Sequence, residues 1–145
     1  MPTRPLTPAD HPQWVALRSE LWPDEDRSDL EAQAREALAA DPPLAVFLAW
    51  EGGVARGFIE VSLRSHAEGC AGSPVPFVEG WYVQPDVQGR GLGAVLMRAA
   101  EGWSRAAGYS EIGSDTWAGN AAGRAAHRSL GFEEVETLVA FRKPL

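Results

Sequence analysis

The chain has one cysteine, three histidines and a shortage of basic residues, and each of these argues against a class of protein. Cys70 has no partner for an internal disulfide, which favours a reducing, cytoplasmic location. The histidines His11, His66 and His127 do not have metal-ligand spacing, so no metal site is expected. With 20 acidic against 13 basic residues and a formal charge of −7, the chain lacks the clustered Lys and Arg that phosphate backbones require. Nucleic acid is therefore not an expected partner.

Long apolar runs are also missing. No segment approaches the ~18 apolar residues that span a bilayer, and residues 1–5 have no apolar run after Arg4, so we expect neither a membrane span nor a signal peptide. The 145 residues suffice for one hydrophobic core, and no linker rich in proline or glycine divides them. We expect a single domain over residues 1–145.

The periodicity of apolar residues predicts the order β-α-α-β-β-β-α-β-α-β. Predicted helices cover about 10–21, 28–40, 91–107 and 120–130, and predicted strands cover 3–6, 44–50, 54–64, 75–83, 109–114 and 134–142. Asp10 and Ser28 are the expected N-caps of the first two helices. Hairpins come first and crossovers last, which favours an α/β (α+β) fold whose mixed, mostly antiparallel sheet has six to seven strands and four flanking helices.

The most specific motif is a glycine-rich loop between a predicted strand and an amphipathic helix, Gln88-Gly89-Arg90-Gly91-Leu92-Gly93. Its glycines allow positive φ and a close approach of the backbone to a ligand. The N–H groups at a helix start, with the positive end of the helix dipole, bind anions such as pyrophosphate. The loop lacks the Gly-Lys-Ser/Thr ending of a Walker loop and the last glycine of a Rossmann fingerprint, and it fits Q/R-x-x-G-x-G/A. On the loop alone, a purely structural glycine turn stays open.

Taken with the order of elements and the Asn120 helix before Leu130-Gly131-Phe132, this loop resembles the GNAT superfamily of N-acetyltransferases over nearly the whole chain. The resemblance implies acetyl-CoA as co-substrate. It also implies a set of cofactor-binding residues in the preceding strand, the loop and the last helix: Trp81, Tyr82, Val83, Gln88, Gly89, Arg90, Gly91, Leu92, Gly93, Ala94 and Asn120. Asn120 is equally suited to cap its own helix.

Further segments resemble the aminoglycoside 6′-N-acetyltransferases of that superfamily, notably Leu21-Trp22-Pro23, Val78-Glu79-Gly80-x-Tyr82-Val83 and Ser114-Asp115. This resemblance implies an antibiotic site lined by Trp22, Glu25, His66, Glu79, Asp115 and Glu136. Several carboxylates beside an aromatic wall suit a polyamino sugar. A solvated cap for Glu25, an idle loop position for His66 and an outward-facing position for Glu136 stay open as alternatives.

Strand alternation places Glu79 on one face with Phe77, Trp81 and Val83. A carboxylate among apolar neighbours needs a cation, water or a proton. Glu79 or Asp115 is therefore the predicted acceptor of the amine proton during direct transfer in a ternary complex.

The thiolate that leaves in this reaction is commonly protonated in the superfamily by a tyrosine seven residues after the helix-opening asparagine. This chain has His127 there, which is either that acid or a packed helix histidine. The resemblance also suggests a homodimer. Two other functions stay open: acetylation of a polyamine or a protein N-terminus, and a non-catalytic acetyl-CoA-binding domain.

Overall fold

Five strands form one sheet in the computed structural model, which describes residues 2–145. The strands are β1 Thr3–Pro5, β2 Ala45–Glu51, β3 Val54–Arg64, β4 Val75–Val83 and β5 Gly113–Ser114, and they lie in that order across the sheet. Neighbours are antiparallel from β1 to β4, and β5 is parallel to β4. The α-helices are α1 His11–Leu21, α2 Arg27–Ala39, α3 Leu92–Ala106 and α4 Ala121–Ser129. The mixed sheet with its helices confirms the predicted fold class.

Apolar side chains fill both sides of the sheet because successive residues of β3 point to opposite faces. Phe58 packs with Trp14 of α1 on what we call the α1–α2 face. Ile59 packs with Leu96 and Met97 of α3 on the α3 face. All five side chains are fully buried, and such burial contributes about 1.5–3 kcal/mol for each large apolar residue. No described helix has both the length and the apolar character of a membrane span.

Of the two predicted N-caps, Asp10 occupies the predicted position but makes no capping hydrogen bond, and Ser28 is wrong. The carboxylate of Asp26 caps α2, accepting hydrogen bonds from the backbone N–H groups of Ser28 and Asp29 at 2.8 and 3.3 Å. Asp10 precedes α1 but does not bind the N–H groups of that helix. It accepts hydrogen bonds from Arg4 and Thr7 instead, and these hold the pKa of Asp10 well below its usual range.

The predicted alternation along β4 is also wrong, because the strand has a bulge at Glu79. The register between β3 and β4 shifts by one residue there, so Glu79 has no partner on β3. An extra residue shifts every later side chain to the other face. Trp81 and Val83 therefore pack on the α3 face, whereas Glu79 lines a cavity on the α1–α2 face together with Trp22.

The C-terminal segment 133–145 forms no strand, which corrects the prediction at 134–142, and the sheet has five strands instead of six to seven. The preceding strand, β5, is two residues long, so it offers little backbone for pairing. The large apolar side chains of the segment are more than half exposed: Val135, Leu138, Val139, Phe141 and Leu145. The segment has the composition of a strand, but the edge strand β5 is too short to pair with it in the single chain.

Candidate active site

The glycine-rich loop leads from β4 into α3 and leaves its backbone open on one side. Gly89 and Gly91 have φ of 81° and 82°, which strains any residue except glycine. A Cβ added at either position would meet no atom within 4 Å. Gly91 is the N-cap of α3, so the unpaired N–H groups of the first helical turn point out beside it. An anionic group can approach this backbone closely, and the loop therefore fits the pyrophosphate of acetyl-CoA.

The side chains of two predicted cofactor-binding residues hold the loop against β4. Gln88 donates from Nε2 to the backbone oxygen of Val83 at 2.9 Å, and Trp81 donates from Nε1 to the oxygen of Gly93 at 3.0 Å. A Cβ on Gly93 would lie 3.5 Å from the Trp81 ring, in ordinary contact. These contacts fix the geometry of the cradle. A direct contact with the cofactor stays a prediction for both residues.

Other predicted cofactor residues also have partners within the protein. The Tyr82 hydroxyl donates to Glu20 at 3.1 Å, and burial together with this carboxylate raises the pKa of Tyr82 to about 12. Arg90 pairs with Glu51 at 2.8 Å. Leu92 is a buried core residue, so only its backbone is available to a ligand.

A cavity of about 240 Å³ lies on the α1–α2 face beside the bulge of β4. It is lined by Arg18, Trp22, Glu25, Leu30, Gln33, Glu60 and Glu79. Three of the six residues predicted to bind substrate are thus brought together. Carboxylates beside an indole ring can bind ammonium groups and the face of a sugar.

The Glu79 carboxylate is bound by two side chains of β3. It accepts a hydrogen bond from the Ser62 hydroxyl at 2.7 Å and two from Arg64, at 2.8 Å from Nε and 2.7 Å from Nη2. The Arg64 guanidinium also lies over the Phe77 ring at 3.7 Å. Burial acts to raise the pKa of Glu79, but the hydrogen bonds from Arg64 and Ser62 outweigh it, and the pKa lies below its ordinary value. Of the partners that the sequence left open for this carboxylate, a cation, water or a proton, the structure provides a cation, Arg64.

A polar row on β3, formed by Glu60, Ser62 and Arg64, was not predicted from the sequence. These residues occupy every second position of the strand and therefore share the α1–α2 face. Glu60 is the most buried of them, with 2% of the residue exposed, and its Oε1 lies 3.0 Å from Nε of Arg18. Burial raises the pKa of Glu60 to about 7. The alternation of polar with apolar residues inside a central strand could have revealed this row, because buried polar side chains must find partners.

Asp115 directly follows β5, whose Ser114 pairs with Val78 of β4, one residue before Glu79. The side chain is exposed. The hydrogen bond to Glu79 is the main reason that the pKa of Arg64 is raised, and the charge of Asp115 adds to it. The two predicted catalytic carboxylates therefore act on the same guanidinium.

His127 lies on α4, and its ring is packed among neighbouring groups. Its Nδ1 lies 2.7 Å from the Gly123 carbonyl oxygen, and its Nε2 lies 2.7 Å from the Ser114 hydroxyl. The carbonyl only accepts, so Nδ1 carries a proton. The ring also stands edge-on to Trp81 and Phe132. Of the two alternatives, the packed helix histidine has direct support, and a role as proton donor stays a prediction.

The remaining predicted residues lie outside the cavity. Asn120 caps α4, accepting from the Gly123 N–H at 3.0 Å and donating to the Thr116 hydroxyl at 2.9 Å. His66 and Glu136 are exposed and do not line the cavity, so their roles stay predictions. Within residues 2–145, no three His, Cys, Asp or Glu side chains are grouped to hold a metal ion.

Comparison with known proteins agrees with this geometry. A profile of the acetyltransferase (GNAT) family matches residues 12–132. The aminoglycoside N(6′)-acetyltransferase type 1 of Stenotrophomonas maltophilia is 47% identical over 144 residues, covering 98% of this chain and 92% of that protein. The protein of the same name from Klebsiella aerogenes is 40% identical over 145 residues, covering 98% of this chain and 95% of that protein.

Two solved structures share the whole fold. One is AAC(6′)-Iy in complex with the bisubstrate analog CoA-S-monomethyl-acetylneamine, with a TM-score of 0.92 and 37% identity, covering 99% of this chain and 97% of that one. The other is the apo aminoglycoside 6′-N-acetyltransferase AAC(6′)-IG of Acinetobacter haemolyticus, with a TM-score of 0.91 and 33% identity, covering 100% and 99%. With its glycine cradle and acidic cavity, this chain belongs to the acetyltransferase (GNAT) family and, within it, to the group of the aminoglycoside 6′-N-acetyltransferases.

Proposed function

We propose that the protein transfers the acetyl group of acetyl-CoA to the 6′-amine of aminoglycoside antibiotics, by direct transfer in a ternary complex, and so confers resistance to them. The observation that carries the proposal is the cavity in which Trp22, Glu25 and Glu79 lie together beside the β4 bulge. A cavity with this lining suits a cationic sugar better than a neutral amine. The names of the relatives and the bisubstrate analog in AAC(6′)-Iy support the same substrate.

The residues of the cradle would hold the co-substrate. Acetyl-CoA supplies an acetyl group activated as a thioester, and the backbone of 89–94 is placed to hold its pyrophosphate. The strand segment 81–83 and Asn120 are the proposed further contacts. Because the cradle and the cavity flank the same strand, β4, both substrates can be held at once, which is the main requirement for direct transfer.

We assign the amine side of the reaction to Glu79 and Asp115. Glu79 has a lowered pKa and is therefore ionised at neutral pH, as binding of an ammonium group requires. The amine must lose a proton before it can attack, and Glu79 or Asp115 accepts it, directly or through water. Protonated on both nitrogens, His127 would donate its Nε2 proton to the Ser114 hydroxyl oxygen, and that hydroxyl would give its own proton to the thiolate. A thiol has a pKa of ~8.5, so this last step needs little help.

A thiol-release assay with acetyl-CoA tests the proposal. Kanamycin, which carries a 6′-amine, is the test substrate, and an aminoglycoside with a 6′-hydroxyl instead is the matched control. Spermidine and a peptide with a free N-terminus complete the panel. We expect release with kanamycin and none above background with the 6′-hydroxyl compound. Preference for spermidine or the peptide would refute the aminoglycoside assignment, and acetyl-CoA binding without release to any amine would indicate a non-catalytic domain.

We also propose that the protein is a homodimer in the cytoplasm, in which residues 133–145 pack against a second copy. The large apolar side chains of that segment are more than half exposed, and α4 has no buried residue. Exposed apolar surface next to a short edge strand is typical of an interface. A second copy is the occupant that brings an identical segment and an identical edge, so both surfaces are satisfied in one closed pair. The free thiol of Cys70 fits a reducing compartment.

Light scattering after size exclusion tests the dimer. The full chain should elute with twice its mass of 15.6 kDa, and Val139→Asp should shift it toward the monomer. Val54→Asp is the matched control, since Val54 is similarly exposed but lies at the β2–β3 turn, away from the segment. A wild-type chain that stays monomeric at tens of micromolar would refute the proposal.

A further inference from the structure

The Arg18 guanidinium lies between two tryptophan rings at the edge of the substrate cavity. Its Cζ is 5.2 Å from the Trp14 ring centroid and 5.0 Å from the Trp22 ring centroid. Its Nη1 donates to the Leu30 carbonyl oxygen of α2 at 3.1 Å. Its Nε is 3.0 Å from Oε1 of Glu60, and the side chains of this ion pair are only 8% and 2% exposed. Arg18 therefore joins α1, α2 and β3 at one point.

Trp22 is the only one of these partners that stands outside a helix or strand. It follows the last residue of α1, with φ −118° and ψ 70°, and its backbone N–H donates to the Arg18 carbonyl oxygen at 2.9 Å. The position of its ring is therefore set by side-chain contacts. Its ring stands edge-on to Phe58, with centroids 6.2 Å apart, and a Cβ at Gly80 would come within 3.0 Å of it. The ring is thus seated on β3 and β4, and the Arg18 guanidinium lies over one of its faces.

Burial of the Arg18–Glu60 ion pair is energetically unfavourable compared with apolar packing. Two charges removed from water lose hydration, and well-packed apolar residues in their place are often at least as stabilising. Moreover, Nε of Arg18 and Oε1 of Glu60 are buried and face each other at 3.0 Å without the alignment of a good hydrogen bond. Buried polar atoms left in this state beside a ligand cavity indicate a functional constraint.

We propose that Arg18 and Glu60 are positioning residues: their ion pair holds the Trp22 ring as the fixed aromatic wall of the cavity that Glu79 also lines. Glu60 orients the guanidinium, and the guanidinium presses on the ring by cation–π contact. Trp22 then presents its free surface to the sugar of the substrate. This rests on the proposed function, because the substrate that would contact the Trp22 ring is the aminoglycoside.

The charged groups facing Glu60 decide how the pair responds to pH. Arg18 from α1 favours the ionised carboxylate, and Glu79 from β4 opposes it. Glu79 is itself neutralised by Arg64, and Glu25 lines the same cavity. Burial raises the pKa of Glu60 to about 7. Acidification below this value therefore protonates Glu60, breaks its ion pair with Arg18 and leaves the Trp22 ring less firmly held. The KM for kanamycin should therefore rise toward acidic pH, more steeply than in Glu60→Gln.

Arg18→Met tests the inference by replacing the guanidinium with an apolar side chain of similar length. We expect the KM for kanamycin to rise by about tenfold, while kcat at saturation and the KM for acetyl-CoA stay within about threefold. Arg18→Lys should also fail to restore the wall, because an ammonium is a compact charge that does not stack as a planar guanidinium does. Arg35→Met is the matched control, since Arg35 is exposed and paired only with Glu31 on α2.

A double-mutant cycle separates positioning from a general loss of structure. If Arg18 acts through Trp22, Arg18→Met should change KM little in a Trp22→Ala background. Additive effects, or an unchanged KM in a folded Arg18→Met protein, would overturn the inference. If Arg18→Met fails to fold, Glu60→Gln carries the same test through its KM and its pH dependence. A failed substrate assignment would appear first, as a wild-type enzyme inactive on kanamycin.

Discussion

Glu60→Gln should make the protein more stable at neutral pH while weakening its hold on substrate. The substitution keeps the shape of the side chain and removes a carboxyl group whose pKa burial raises from 4.5 to about 7. The folded state therefore holds this proton at pH values where the unfolded chain has lost it. The resulting stability is fully present below pH 4.5, falls as pH rises, and is gone above about pH 7.

The size of the effect follows from the two pKa values. Each pH unit between them changes the free energy of unfolding by about 1.4 kcal/mol, so the wild type loses about 3 kcal/mol that Glu60→Gln keeps. For a domain of this size, roughly 2–4 °C of Tm corresponds to 1 kcal/mol. The Tm of the variant relative to wild type should thus rise by roughly 6–12 °C from about pH 4.5 to about pH 8.

Thermal melts of both proteins across that pH range measure the difference directly, and contributions from other groups cancel in it. Glu31→Gln is the control, because its exposed carboxylate lies on α2 and such surface changes stay within about 0.5 kcal/mol. Parallel profiles for wild type and Glu60→Gln would show that burial does not govern this carboxyl. A difference that falls with pH would show that Arg18 outweighs burial, and the reasoning would be refuted.

Four further outcomes are expected. Gly91→Val should raise the Kd of acetyl-CoA in calorimetry by about tenfold or more, since φ is 82° there and the side chain would enter the open cradle; Gly102→Ala on α3 should leave it unchanged, and an unchanged Kd for Gly91→Val would mean that the cradle is misplaced. Arg64→Gln should move the acidic limb of the kcat/KM profile to higher pH, because the pKa of Glu79 would no longer be lowered; a limb that stays in place assigns it to another group. His127→Ala should lower kcat by less than about tenfold, and a loss of about a thousandfold would make this histidine an essential proton donor. The KM for kanamycin should climb with ionic strength as the Debye length falls from ~10 Å at 0.1 M to ~3 Å at 1 M, and Asp115→Asn should flatten that climb; equal slopes would remove Asp115 from the substrate site.

The parts of the molecule that local patterns determine could be predicted from the sequence. Glycines at 89, 91 and 93 before an amphipathic helix predicted a loop with positive φ and an open backbone, and the structure has such a loop at Gly89 and Gly91. Its binding of pyrophosphate stays a prediction. The mid-strand position of Glu79 indicated a carboxylate that needs a cation, water or a proton, and the structure supplies a cation, Arg64.

What could not be predicted depends on register and on distant partners. Periodicity cannot reveal the bulge of β4, so the pairing of Glu79 with Arg64 and the separation of Trp81 from Glu79 were missed. Asp26 and Ser28 lie two positions apart and are both favoured N-cap residues, so the sequence pattern alone does not decide which of them caps α2. Residues 134–142 have the residue pattern of a strand, but a strand forms only where a sheet edge offers enough backbone for pairing.

The bulge also has a consequence for how this enzyme can change. It shifts β4 by one residue, so the strand presents Glu79 and Gly80 in succession to the substrate cavity and then Trp81 to the cofactor loop. Substitutions on the antibiotic side, in α1, α2 and the polar row of β3, can therefore alter the cavity without touching the residues that anchor the loop on the other face. Deletion of one residue at the bulge would leave Trp81 and Val83 on the α3 face, but it would remove one of the two consecutive positions that face the cavity. The extra residue thus serves the substrate cavity alone, and the cofactor side of β4 does not depend on it.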